Sequence, residues 1–127
     1  MSDVILDSSA ILAVINHEAG GDRVQAVADG ATVSALIIAE VVSWLAVRDT
    51  PADEIYETIE DFKLRVQPFH HARAMAAGLI VSKTRRRGLS LGDRGCLALA
   101  IELGLPVVTG DRAWRDLDIG VDIRLFR

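Results

Sequence analysis

The sequence is poor in the residues that cross-link, break or anchor a chain. A single cysteine, Cys96, rules out an intrachain disulfide and a cysteine-built metal centre. There are three prolines, no internal repeat and no low-complexity stretch, so nothing reads as a linker. The 127 residues therefore read as one domain, 1–127. No apolar run approaches the roughly 18 residues of a membrane-spanning helix. No basic segment precedes an apolar stretch at the start, so neither a membrane anchor nor a secretion signal is expected. A reducing, cytoplasmic setting fits these absences. Positive charge is also short: 14 Lys and Arg against 18 Asp and Glu leave a net charge of −4. That argues against a non-specific nucleic-acid binder, which is usually basic. It leaves room for an enzyme whose acids hold a metal. Aromatic residues make up 5% and hydrophobic residues 50%. The core must be aliphatic, which suits helices layered on a sheet.

What is present is organised around Val4-Ile5-Leu6-Asp7-Ser8-Ser9-Ala10. Three β-leaning apolar residues in a row read as a strand buried on both faces. The run stops at an acid, two hydroxyls follow, and an apolar helix begins. In an open parallel sheet such β-to-α turns lie at the carboxyl ends of the strands, where ligands bind. Further strands are expected over 31–34, 64–66, 106–109 and 121–125, the last at an edge. Helices are expected over 22–28, 35–48, 52–62, 70–87, 91–103 and 111–116. This alternation predicts an α/β sandwich with a mainly parallel central sheet of about five strands.

Four acids stand out. Glu40 lies in Ala35-Leu36-Ile37-Ile38-Ala39-Glu40-Val41-Val42, where its neighbours are apolar. A buried carboxylate needs an arginine, a protonation shift or a metal ion. Asp93 closes Ser90-Leu91-Gly92-Asp93, a capping-box pattern at the start of an apolar helix. Asp111 follows the 107–108 strand and repeats the layout of Asp7. Helix capping is a sufficient reading of Asp7, Asp93 or Asp111 taken singly. Converging on one pocket, like charges about 4–6 Å apart repel by roughly 3–4 kcal/mol per pair. Such a cluster needs a cation, and carboxylates without His or Cys partners select Mg²⁺ or Mn²⁺ over zinc.

The four segments, Val4-Ile5-Leu6-Asp7-Ser8-Ser9-Ala10, Ser34-Ala35-Leu36-Ile37-Ile38-Ala39-Glu40-Val41, Leu89-Ser90-Leu91-Gly92-Asp93 and Val107-Val108-Thr109-Gly110-Asp111-Arg112-Ala113-Trp114, resemble in order a PIN-domain protein. The chain looks most like a VapC-type toxin of a toxin–antitoxin pair. The resemblance spans the whole chain. It implies a three-layer α/β/α sandwich and a Mg²⁺-dependent endoribonuclease, with Mn²⁺ able to substitute. By motif, Asp7, Glu40, Asp93 and Asp111 would be the catalytic, metal-binding acids, with Ser9 and Thr109 as supporting hydroxyls. Gly110 departs from the alanine frequent in the family. The resemblance also implies an antitoxin partner, an RNA substrate and a homodimer.

Other residues carry weaker signals. Lys83, Arg85, Arg86 and Arg87 form the one basic cluster. It reads either as a grip on the RNA backbone or as cations complementing a helix C-terminus. Arg112 beside Asp111 suggests a local ion pair. His17, His70 and His71 lack ligand spacing and read as surface or capping residues. Cys96 reads as core. Trp44 either packs in the core or lines a partner groove, and Trp114 packs under the strand-end loop. The alternative from another class is a catalytically inactive PIN-like module that only binds RNA or protein. An aspartyl-phosphate protein is disfavoured, because no second acid follows two residues after Asp7.

Overall fold

A computed structural model describes residues 3–127, the Arg86 side chain excepted. Five short strands make one sheet: β1 (Ile5–Leu6), β2 (Thr32–Ser34), β3 (Arg65–Gln67), β4 (Val107–Thr109) and β5 (Ile123–Leu125). Every pairing is parallel, in the order β3-β2-β1-β4-β5. Ile5 pairs with Thr32 on one side and Val107 on the other. β1 is thus the central strand, and Ile5 and Leu6 are fully buried. Central strands of a parallel sheet are covered on both faces, which is why this one is an uninterrupted apolar run. Burial falls toward the edges. Arg65 and Val66 of β3 are exposed, and β5 is covered only in part.

Helices α1 (Ser8–Ile15) and α2 (Gly21–Ala28) join β1 to β2. Helices α3 (Ala35–Val47) and α4 (Ala52–Asp61) join β2 to β3. Helices α5 (His71–Leu79), α6 (Val81–Thr84) and α7 (Leu91–Leu103) join β3 to β4. A 3-10 turn, Arg112–Asp116, joins β4 to β5. The chain steps outward from β1 to β2 and β3, then returns past β1 to β4. Right-handed crossovers put the connections of the two halves on opposite faces of the sheet. The result is the three-layer α/β/α sandwich, with its switch point between β1 and β4. Ile11, Ile37, Leu97 and Trp114 are among the largest fully buried side chains.

One element differs from the sequence reading. The stretch 70–87 is not a single helix; it divides into α5, α6 and a 3-10 turn, Arg85–Arg87. Two hydroxyls compete for backbone carbonyls at the break. Ser82 Oγ donates to the Leu79 carbonyl and Thr84 Oγ1 to that of Ile80, a local pattern that disturbs helical bonding. Gly88, at φ 63°, then ends the turn in a left-handed conformation suited to glycine.

Candidate metal and nuclease site

Three of the four candidate acids also serve helix starts, Asp7 and Asp111 as N-caps and Asp93 within a capping box, so for these three the capping and site readings hold together. Asp7 leaves the end of β1 and caps α1, its Oδ1 accepting from Ala10 N at 2.9 Å. Ser9 Oγ donates to the same oxygen at 2.7 Å. Thr109, at the end of β4, donates its hydroxyl to Asp7 Oδ2. Thr109 Oγ1 in turn accepts from Asp111 N at 3.0 Å, and Ser9 Oγ accepts from Gly110 N at 2.9 Å. Ser9 and Thr109 thus stitch the two central strand ends together at the switch point, where an open parallel sheet presents its ligand crevice. Asp7 is 2% exposed. Burial raises its pKa, three hydrogen bonds oppose the rise, and the charge of Asp93 adds to it.

The other acids lie where α3 packs against α7. Ser90 and Asp93 complete a capping box: Ser90 Oγ accepts from Asp93 N, and Asp93 Oδ2 accepts from Ser90 N. Glu40, in the second turn of α3, is half-buried and lies against the first turn of α7. A Cβ on Gly92 would sit 1.2 Å from Glu40 Oε1. Glycine at that position is what lets the carboxylate in. Glu40 Oε1 is buried and has no hydrogen-bond partner. Burial raises the Glu40 pKa first, followed by the charges of Asp93 and Asp7. Asp93 is likewise raised, by burial and by Asp111, against its two bonds to Ser90. The thiol of Cys96, beneath them, is pushed well up by burial and by the negative charge of Asp7, Asp93 and Glu40.

Asp7, Glu40 and Asp93 therefore share one electrostatic neighbourhood, and Asp111 joins it through Asp93. Asp111 itself is exposed and caps the 3-10 turn through Ala113 N, at 3.0 Å. Arg112 forms no ion pair with it among the described residues; the backbone amide takes that role. None of the four acids is paired with a cation among the described residues. Nor do any three His, Cys, Asp or Glu side chains there stand close enough to enclose an ion as placed. Repelling carboxylates stand apart unless a cation draws them in. The donor set is nevertheless all hard oxygen, and the unpartnered Glu40 Oε1 is the kind of atom a divalent cation would satisfy. The residue types fit such an ion, and as placed they do not enclose one.

The remaining candidates fall elsewhere. Lys83 lies in α6, with Arg85 and Arg87 in the following turn, and all three line a cleft with Asp116 and Asp118. The Arg86 side chain lies outside the described part of the structure. His70 caps α5, its Nδ1 accepting from Arg73 N. Trp114 is 1% exposed, and Cys96 is buried. Gly92 is the residue that sequence reasoning missed. Its one signal was a glycine inside the first turn of a helix, a poor helix former kept where alanine would serve better. Gly110 has a similar explanation: a Cβ there would lie 2.7 Å from Arg127 Nε and 2.9 Å from Phe126 Cζ.

A parallel α/β/α sandwich with acids gathered at its switch point belongs to the open α/β folds, which bind ligands there. The PIN domain matches residues 4–120, and the chain belongs to the PIN-domain family. Among solved structures it resembles a chain of the DNA-bound VapBC complex from Salmonella typhimurium, with a TM-score of 0.74, 21% identity and all of both chains covered. A toxin–antitoxin complex from Klebsiella pneumoniae gives a TM-score of 0.70 at 15% identity, covering 93% of this chain and 94% of that one. VapC20 from Mycobacterium tuberculosis, described as a sarcin–ricin-loop-cleaving toxin, gives 0.72 at 15% identity, covering 94% and 98%. At these identities the likeness is one of fold. No curated protein sequence matches the chain.

Proposed function

We propose that the chain is the toxin of a toxin–antitoxin pair and a divalent-metal-dependent endoribonuclease. The observation that carries this is Glu40 Oε1: buried, unpartnered, admitted by Gly92, and set among acids that raise one another's pKa. Membership of the PIN-domain family supports the nuclease reading, and the fold shared with toxin–antitoxin complexes supports the toxin reading.

Asp7, Glu40, Asp93 and Asp111 would hold the ion, Mg²⁺ or Mn²⁺. Bound there, it supplies Lewis-acid chemistry, lowering the pKa of a water and offsetting charge on the phosphate. The chain's own residues do the rest. Ser9, Thr109 and Ala10 N fix the Asp7 carboxylate so that it need not reorganise during reaction. The Ser90 bonds fix Asp93 in the same way. Lys83, Arg85, Arg86 and Arg87 would grip the RNA backbone, which offsets the repulsion expected from a net charge of −4.

The antitoxin partner, a homodimer and a cytoplasmic location belong to the same proposal. No helix among the described residues is long and apolar enough to cross a membrane. An apolar groove of about 540 Å³ between α3 and α4, lined by Ile38, Val42, Ile55 and Tyr56, offers an antitoxin segment a seat.

The test is cleavage of total tRNA and rRNA by the purified chain, freed of co-purified antitoxin. It is run with Mg²⁺, with Mn²⁺ and with EDTA, beside Asp7→Asn. Discrete fragments that require metal and vanish in the variant are expected. Metal binding with no cleavage of any RNA would favour the inactive binding module instead.

A further inference from the structure

Helix α3 presents three stripes. Ile37, Val41 and Leu45 are buried in the core. Ile38, Val42 and Ala46 face the groove toward α4. The third stripe is Glu40, Trp44 and Arg48, spaced four residues apart and therefore stacked on one face. With Leu36 and Val47 it forms the wall of an open cleft of about 430 Å³ that begins at the site carboxylate. Trp44 is only half-buried there, whereas Trp114 is 1% exposed.

The Arg48 guanidinium lies over the Trp44 ring, 3.5 Å from its centroid. Its Nη1 donates to the Trp44 carbonyl at 2.8 Å. Among the described residues no carboxylate pairs with Arg48. A C-terminal helix cation would be satisfied by the carbonyl alone. Trp44 packs one part of its ring against the core and leaves the rest in the cleft that begins at Glu40, with the Arg48 plane beside it. Two stacked planes, one aromatic and one cationic, match an unpaired nucleobase and its phosphate. Single-stranded nucleic acids are held in this way, by aromatic and guanidinium planes beside positive charge.

We propose that Trp44 and Arg48 form a stacking shelf that holds one unpaired base of the RNA beside the scissile phosphate. The inference rests on the ribonuclease reading and assigns a base-holding subsite next to that site. A helical rise of about 1.5 Å per residue puts the Trp44 backbone about 6 Å from that of Glu40 along the axis, and the Arg48 guanidinium folds back over the Trp44 ring. The held base therefore belongs to a nucleotide flanking the scissile phosphate. Paired bases cover their faces with neighbours and cannot use the shelf.

The test separates binding from cleavage. The Asp7→Asn chain in Mg²⁺ is titrated with an unstructured, fluorescein-labelled RNA decamer and with the matching blunt duplex, and anisotropy gives the affinities. Tryptophan emission is followed with the unlabelled decamer. Because Trp114 is buried, any quenching reports Trp44. The single strand should quench saturably and the duplex should not. Adding Trp44→Leu or Arg48→Ala should weaken decamer binding roughly 5- to 100-fold, the range for losing one base stack. Arg48→Lys should not restore it, since an ammonium offers no plane. In the Asp7 chain, the same substitutions should raise KM more than they lower kcat. Unchanged decamer affinity in both folded variants, or equal binding of the duplex, overturns the shelf. So does a Trp44 that answers only to a protein partner. Loss of the nuclease reading shows itself separately, as absent cleavage with quenching intact.

Discussion

The two halves of the acidic site are built by different means. The Asp7 half is made by strand pairing. β1 beside β4 brings Thr109 to Asp7 across 102 residues of sequence, and three donors satisfy the carboxylate. The Glu40 half is made by helix packing. α3 meets α7 at a glycine, and a carboxylate oxygen is left buried without a partner. A fully bonded carboxylate stays where its donors hold it. An unpaired one raises the energy of the ligand-free protein and lowers it again when a cation arrives. One half therefore positions, and the other responds.

The largest break in this contrast should come from Asp7→Asn. It removes the charge from the bonded half while keeping its size, so the fold should persist and cleavage should fall by roughly 100-fold or more. Circular dichroism beside a fragment assay decides the matter, and full activity in a folded variant would refute the role. Gly92→Ala attacks the responsive half. The new methyl must push the Glu40 carboxylate aside, and displacements of about 1 Å can lower activity by roughly 100-fold. Its stability should hold or rise, since alanine improves the helix by about 0.5–1 kcal/mol. A drop in stability matching the drop in activity would mean that Gly92 serves packing alone.

Thr109→Val should act more mildly and on both properties. It leaves Asp7 Oδ2 and the Asp111 amide short of a partner, at a cost of about 1–3 kcal/mol read from denaturant midpoints. An unchanged midpoint would show that the hydroxyl bridges are dispensable. The smallest effect should be the pH dependence. Asp7, Glu40 and Asp93 have pKa values raised by burial above their ordinary 3.8, 4.5 and 3.8. The folded chain then binds protons more tightly than the unfolded chain. The stability these groups allow is full below their unfolded values and is lost as pH rises through the folded ones. Without metal, the unfolding temperature of the native chain relative to Asp7→Asn should fall from about pH 4 to about pH 7. Mg²⁺ should restore it at the higher pH and do little at the lower. A difference that grows with pH would reverse the assignment.

How legible these halves were follows from how they are built. The bonded half is local at each end: strand, acid, hydroxyls and helix can be read at Asp7, and nearly the same order at Asp111. The responsive half was visible only as a misfit, Glu40 among apolar neighbours. Its partner Gly92 lies on another helix, and no local pattern links the two. The unbroken helix expected over 70–87 failed for a related reason. Alanine-rich sequence favours a helix, but the Ser82 and Thr84 hydroxyls take carbonyls at Leu79 and Ile80 that the helix would use. Arg112 was expected to pair with Asp111, but the amide of Ala113 meets that carboxylate at lower entropic cost than a long side chain.

The sequence by itself determined the alternation of elements, the parallel sheet, the apolar central strand and the four acids, because each is written in short-range periodicity or in one residue against its neighbours. Tertiary structure alone decided that β1 lies beside β4, that Thr109 bonds Asp7, and that Glu40 sits unpartnered against Gly92. Those facts depend on which distant segments share a surface, and hydrophobic burial, which is non-directional, fixes that only when the whole chain has packed.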